Sequence, residues 1–82
     1  MSDIHSIIIF TADECNWCDN LRQFLKTAVA KVEPKTFNIS QDEDALSAFK
    51  EHGFRTVPQV FINGRHIGGH DAALKYLKDL GQ

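Results

Sequence analysis

The chain has 82 residues, a hydrophobic content of 43%, a charged content of 24% and a formal net charge of −2. This length predicts one small domain over residues 1–82, and the composition is typical of a globular protein. Because lysine and arginine form no run, a nucleic-acid-binding role is disfavoured. The apolar stretch at 7–10 is too short to span a membrane and lacks the flanks of a signal peptide, so we expect a cytoplasmic location.

The first half of the chain predicts two strands and the helix between them. Residues 4–10 are rich in β-branched side chains and predict a buried strand. Apolar residues then recur at helical spacing over 15–32, and Pro34 is expected to close that helix because proline disfavours helical backbone in the residue before it. Residues 35–39 predict the second strand.

The second half predicts a helix, a hairpin and a closing helix. Residues 40–53 predict a helix that begins at a capping box formed by Ser40 and Glu43. An Asn-Gly turn is typical of a tight hairpin between two strands. The hairpin strands and the last helix are predicted at 58–62, 65–67 and 70–80.

The element order β-α-β-α-β-β-α predicts an α/β fold. The first two strands, joined through a helix, are expected to be parallel, and the hairpin strands antiparallel. A four-stranded mixed sheet follows, with the three helices divided between its two faces. Five phenylalanines are expected to face the core: Phe10, Phe24, Phe37, Phe49 and Phe61.

Both cysteines lie where the first strand passes into the first helix, which is the usual ligand edge of an α/β sheet. Cys15 is expected at the helix N-terminus, where free N–H groups and the helix dipole favour a thiolate. Cys18, one turn later, is expected to be buried and to act second, by attacking a mixed disulfide on Cys15. The spacing favours redox chemistry over two alternatives, which are an inert pair and a zinc site completed by His52, His66 or His70.

Three motifs in a fixed order resemble the glutaredoxins of the thioredoxin superfamily. They are the Cys15-x-x-Cys18 pair, Thr56-Val57-Pro58 before the third strand, and Gly68-Gly69-x-Asp71 before the last helix. The resemblance covers nearly the whole chain and is greatest to the short dithiol glutaredoxins of bacteria and phages. Position alone favours a trans bond before Pro58, whereas the resemblance implies a thioredoxin-like fold in which this bond is cis.

The resemblance implies a dithiol–disulfide oxidoreductase that is re-reduced by glutathione. The catalytic residues would be Cys15 and Cys18, with glutathione as co-substrate and no permanently bound cofactor or metal. Disulfide-containing proteins would be the clients, ribonucleotide reductase among them, and the enzyme would be a monomer. The implied glutathione-binding residues are Trp17, Arg55, Thr56, Val57, Pro58, Gly69, His70 and Asp71.

Two family positions that face the glycine carboxylate of glutathione have lost their usual side chains. Ala12 replaces a lysine or arginine, and Ala45 replaces a basic residue or glutamine. Arg55 is then the evident cation on that side, with Lys35 and Lys50 as possible substitutes. We therefore expect weaker binding of the glycine end.

Other functions remain open at this stage. Asn16 stands where proline is commonest, and some relatives without that proline hold a [2Fe–2S] cluster between two monomers. The Gly-Phe-Arg sequence at 53–55 is similar to that of donors recharged by thioredoxin reductase. A zinc-binding module is a further alternative. The nearby acids Asp13, Glu14 and Asp19 are expected to compete with Cys15 for the positive helix terminus.

Overall fold

A computed structural model describes residues 4–79 of the chain. Within these residues four strands and three helices follow one another in the predicted order. None of these helices is long and apolar enough to cross a membrane. The strands are β1 (Ile7–Thr11), β2 (Lys35–Asn38), β3 (Gln59–Ile62) and β4 (Arg65–Gly68), and the helices are α1 (Asn16–Ala28), α2 (Glu43–Glu51) and α3 (His70–Asp79).

The strands form one mixed sheet in the order β2-β1-β3-β4. β1 is parallel to β2 and antiparallel to β3, while β3 and β4 form the expected antiparallel hairpin. Phe10, near the end of β1, pairs with Gln59 at the start of β3. Gly68, at the end of β4, pairs with Val60. The end of β1, the start of β3 and the end of β4 therefore lie at one edge of the sheet.

The two faces of the sheet bury different kinds of side chain. One face packs α1 and α3 through aliphatic residues such as Leu21, Leu25 and Leu77, each 0% exposed. The opposite face packs α2 through an aromatic cluster around Phe10 and Phe49. The helices are thus divided between the two faces, as the element order predicts.

The prediction that Phe24 faces the core is wrong, because its side chain is 37% exposed. Leu21 and Leu25 are the residues of α1 that face the sheet. Phe24 precedes Leu25 by one residue and is therefore turned about 100° away around the helix axis. The helical spacing of apolar residues predicted which face of α1 is buried, but it did not show that Phe24 lies at the margin of that face.

The first helix ends at Ala28, four residues before its predicted end at 32. Val29 caps it with a non-helical backbone (φ −125°, ψ 69°) and donates its N–H to the Leu25 carbonyl at 2.9 Å. Val29 and Val32 still pack on the aliphatic core. The apolar spacing beyond Ala28 therefore reflects a packed turn rather than a further turn of helix.

The second helix is capped by Asp42, so the predicted capping box at Ser40 is wrong. The Asp42 Oδ1 accepts hydrogen bonds from the N–H groups of Asp44 at 2.9 Å and Ala45 at 3.3 Å. Ser40 lies outside the helix, where its Oγ accepts a hydrogen bond from the Asp13 N–H at 3.0 Å. The Ser40 side chain, which the local spacing predicted to cap the helix, is thus hydrogen-bonded to a residue distant in sequence.

Candidate active site

The two cysteines lie at the N-terminus of α1 and form a disulfide with Cα atoms 5.2 Å apart. Cys15 is the N-cap, and its Sγ accepts a hydrogen bond from the Cys18 N–H at 3.1 Å. Cys15 is half-buried, whereas Cys18 is only 2% exposed. The predicted arrangement is confirmed, with an outer sulfur at the helix terminus and an inner sulfur one turn later.

The turn between β1 and α1 is anchored by Asp13. Its Oδ1 accepts hydrogen bonds from Asn38 Nδ2 at 3.0 Å and from Gln41 Nε2 at 2.8 Å. Asp13 thus joins this turn to the end of β2 and the segment after it, while it also lines the pocket that holds the cysteines. Glu14 follows with a positive φ of 57°, which turns the chain into α1.

A groove of about 490 Å³ lies beside Trp17, the residue before Cys18. We call it the aromatic groove. The peptide bond between Val57 and Pro58 is cis, as the family resemblance implies. The residues that line the groove are Trp17, Thr56, Val57, Pro58, Gly69, His70, Asp71 and Ala72.

One wall of the aromatic groove joins α1 to the start of α3. Trp17 is 62% exposed and its ring contacts His70, with centroids 4.8 Å apart. His70 Nδ1 lies 3.2 Å from Asp71 Oδ1, and the Asp71 side chain is fully exposed. The N–H groups of the first turn of α3 have no acceptor within the helix. This wall therefore offers N–H donors, a carboxylate and an aromatic surface.

The glycine pair before α3 brings this wall close to Pro58. Gly68 has a φ of +132°, and a Cβ placed on it would lie 2.8 Å from the Ala72 Cβ. A Cβ placed on Gly69 would lie 3.4 Å from the Pro58 carbonyl oxygen. Only glycine at position 68 permits both this positive φ and the close approach of the Ala72 side chain.

A smaller pocket of about 260 Å³ contains the cysteines themselves, and we call it the polar pocket. Ala12 and Arg22 line it, with the Arg22 guanidinium 3.9 Å from Asp19 Oδ1. Sequence analysis missed Arg22 because helical spacing does not show which exposed residue borders a pocket. The lining residues are Thr11, Ala12, Asp13, Glu14, Cys15, Cys18, Asp19, Arg22, Thr36 and Asn38.

The structure brings all the predicted glutathione-binding residues except Arg55 around the aromatic groove. Arg55 is exposed and does not line it, although it adjoins Thr56. Lys35 instead lies over the Phe37 ring, 5.5 Å from its centroid. Ala45 is buried in the aromatic core, so its side chain faces no ligand. Sequence analysis missed Ala72, an apolar lining residue with no chemical signature.

The histidines of the zinc hypothesis have other neighbours. His66 hydrogen-bonds Gln59, and His70 lies between Trp17 and Asp71. Within residues 4–79, no three or more histidine, cysteine, aspartate or glutamate side chains are grouped so that they could hold a metal ion.

A cysteine pair at the N-terminus of α1 and a cis-proline just before β3, in a mixed sheet with helices on both faces, define a thioredoxin-like fold. A family model described as Glutaredoxin matches residues 7–67. The chain therefore belongs to the glutaredoxin family. Its Cys15–Cys18 pair forms the disulfide on which thiol–disulfide oxidoreduction depends.

Individual relatives agree with this assignment. Glutaredoxin-C8 of Oryza sativa subsp. japonica is 38% identical over 82% of this chain, which spans about half, 52%, of the rice protein. Glutaredoxin 1 of Rickettsia conorii is 35% identical over 93% of this chain and 76% of its own length. Among solved structures, this chain is similar to the crystal structure of a buckwheat glutaredoxin–glutathione complex. The sequence identity is 27% and the TM-score is 0.73, and the match covers 89% of this chain and 68% of the buckwheat chain.

Proposed function

We propose that this protein is a glutathione-dependent dithiol–disulfide oxidoreductase that reduces protein disulfides and glutathione mixed disulfides. The observation that carries the proposal is the position of the Cys15–Cys18 disulfide next to Trp17 and the aromatic groove. Family membership supports the reaction class, and the buckwheat relative in complex with glutathione supports the ligand.

The difference in exposure between the two cysteines sets the order of the steps. The Cys15 thiolate attacks one sulfur of the substrate disulfide, which forms a mixed disulfide and releases the first substrate thiolate. Cys18 then attacks Cys15 Sγ and releases the second thiolate. Two electrons pass to the substrate, and the Cys15–Cys18 disulfide remains. Cys15 acts first because its side chain is partly exposed to the substrate, whereas the Cys18 side chain is only 2% exposed.

Two glutathione molecules complete the cycle. The first thiolate attacks Cys15 Sγ, breaks the Cys15–Cys18 bond and forms a glutathione mixed disulfide on Cys15. The second attacks the glutathione sulfur of that mixed disulfide, forms glutathione disulfide and returns Cys15 as a thiolate. The N–H group of Cys18, 3.1 Å from Cys15 Sγ, is placed to stabilise negative charge on that sulfur when Cys15 is released as a thiolate.

The aromatic groove matches the chemistry of the tripeptide. The N–H groups of His70 and Asp71 suit the α-carboxylate of its γ-glutamyl end, since a helix N-terminus attracts anions. The Asp71 carboxylate suits the adjacent ammonium. The Val57 backbone, next to the cis bond, suits the cysteinyl part of the peptide, because main-chain groups beside a groove pair with extended chains.

A recharging assay tests the proposal. The protein is given a glutathionylated peptide and, separately, a protein disulfide, with either glutathione and glutathione reductase or thioredoxin reductase. We expect turnover with the glutathione couple and none with thioredoxin reductase. The opposite preference would contradict glutathione dependence and favour the alternative donor role that the 53–55 sequence indicates.

Two single-cysteine variants sharpen this assay. Cys15→Ser is expected to abolish turnover of both substrates. Cys18→Ser is expected to keep activity on the glutathionylated peptide and to lose activity on the protein disulfide, which needs both thiols. Equal loss in both variants would contradict the assigned roles. Ribonucleotide reductase, a client by family resemblance, serves as the protein disulfide.

A further inference from the structure

A chain of hydrogen bonds runs from β4 to the residue before Val57. His66 Nε2 lies 2.9 Å from Gln59 Oε1. Gln59 Nε2 in turn lies 3.1 Å from the Thr56 carbonyl oxygen and 3.2 Å from Thr56 Oγ1. Gln59 is only 9% exposed, whereas Thr56 is exposed and lines the aromatic groove. The chain therefore links a buried amide to a residue that lines the groove.

The direction of every hydrogen bond in this chain is fixed. A carbonyl oxygen only accepts, so the atom of Gln59 that faces Thr56 must be the amide nitrogen. The Gln59 oxygen then faces His66, and His66 Nε2 must carry a hydrogen and donate it. Gln59 Nε2 donates to both the Thr56 carbonyl oxygen and Thr56 Oγ1. Because Oγ1 accepts from Gln59, its own hydrogen remains available as a donor.

Aromatic contacts hold the His66 ring in place. Phe54 lies between two histidines, with ring centroids 5.1 Å from His52 and 4.7 Å from His66. Phe61, opposite His66 in the hairpin, contacts the His66 ring at 5.2 Å. Phe54 belongs to the same loop as Thr56. This loop is therefore fixed by ring packing at one residue and by the Gln59 amide at another.

We propose that His66 and Gln59 are positioning residues that set the Thr56 hydroxyl as a hydrogen-bond donor to an oxygen of the bound peptide. Neither residue lines the aromatic groove. His66 fixes the orientation of the Gln59 amide, and that amide fixes the rotamer and donor direction of Thr56. The inference rests on the proposed function, because it requires a peptide disulfide in the groove.

Steady-state kinetics with a glutathionylated peptide test this positioning. Gln59→Met keeps the size of the side chain but removes both donors, and His66→Phe keeps the ring contacts but removes the N–H. One typical hydrogen bond corresponds to about 2–10-fold in binding, so we expect KM to rise by that factor with kcat within about twofold. An unchanged KM in both variants, with both folded, would overturn the proposal.

Two further variants separate positioning from ring packing. His52→Phe replaces the other histidine that packs on Phe54 but lies outside the chain of hydrogen bonds, and its KM is expected to equal that of the wild type. Gln59→Glu retains an acceptor for His66 but, when ionised, donates nothing to Thr56, so its KM is expected to rise as in Gln59→Met. If His52→Phe raises KM as much as His66→Phe, packing rather than positioning explains the effect.

The tautomer of His66 provides a test that does not depend on activity or on mutant folding. At pH 9 an imidazole is neutral, and long-range ¹H–¹⁵N NMR correlations distinguish its two nitrogens. We expect the hydrogen on Nε2 of His66, and a hydrogen on Nδ1 would overturn the proposal. Failure of the wild type to turn over the glutathionylated peptide would instead contradict the proposed function and leave the tautomer result interpretable.

Discussion

The aromatic groove and the polar pocket meet at the same helix terminus but are built from different parts of the chain. The aromatic groove takes Trp17 from between the cysteines, whereas the polar pocket takes the cysteines themselves. The groove keeps the features implied by the glutaredoxin family, and most of them are backbone features. The polar pocket has Ala12 where the family resemblance implies a cation. The groove thus keeps the expected backbone features and the Asp71 carboxylate, while the polar pocket lacks the expected cation at position 12 and is lined by Arg22 instead.

The largest expected effect concerns the backbone that shapes the groove. Gly68→Ala is expected to lower the free energy of unfolding by about 2–4 kcal/mol, because the new Cβ meets a φ of +132° and lies 2.8 Å from the Ala72 Cβ. Urea denaturation measures the change. Gly64→Ala is the matched control, since φ is +80° and no atom lies within 4 Å. A similar loss in both variants would show that the contact with Ala72 does not matter.

Removing the carboxylate that anchors the polar pocket should have the next largest effect. Asp13→Ala removes hydrogen bonds to Asn38 and Gln41 and is expected to lower the free energy of unfolding by about 1–2 kcal/mol. Thermal denaturation is a suitable measurement, because 1 kcal/mol corresponds to about 4–8 °C in a domain of this size. Asp13→Asn keeps the accepting oxygen and should lose less. Equal losses would point to the charge rather than to the hydrogen bonds.

Restoring the missing cation should reduce the difference between the two sites. Ala12→Lys is expected to lower KM for glutathione by about 3–10-fold, the range for one partly exposed charge-assisted contact. Added salt should weaken the gain, since it screens exposed charges. Ala30→Lys adds the same charge at an exposed position after α1 and serves as the control. If KM does not fall, another group already binds the glycine carboxylate.

The smallest effects concern the thiolate. With Cys18→Ser as background, the alkylation rate of Cys15 against pH should give a pKa below the usual range of a cysteine, because the N–H groups and dipole at the helix terminus favour the thiolate. Arg22→Gln should raise this pKa and Asp19→Asn should lower it, and both changes should be small because both side chains are exposed. Shifts in the same direction would contradict an electrostatic origin.

The sequence predicts the fold well because its main signals are local. Strand and helix periodicity, the Asn-Gly turn and the family motifs together predict the element order, the mixed sheet and the division of helices between its faces. The error at Ser40 occurs where a residue distant in sequence decides the outcome. The local sequence around Ser40 is typical of a helix cap. In the structure, however, the Ser40 Oγ accepts a hydrogen bond from the N–H of Asp13, which is far away in the sequence.

The candidate site was predictable where a motif carries the function. Trp17, the Thr56-Val57-Pro58 segment and the start of α3 were expected around one groove, and they line it. Arg22 and the Gln59–His66 pair were not predicted. Their roles depend on which residues the fold places next to them, and the sequence contains no signal for these contacts.

The site is assembled from three places where a structural element begins: α1, β3 and α3. A ligand that contacts all three connects the two halves of the chain from outside, at one edge of the sheet. Because such a ligand binds only the folded state, it raises the free energy of unfolding. The increase is about 2.7 kcal/mol when the ligand concentration is one hundred times its dissociation constant. A domain of this length typically has only about 4–12 kcal/mol of stability. The peptide proposed to recharge this protein would then also stabilise its fold.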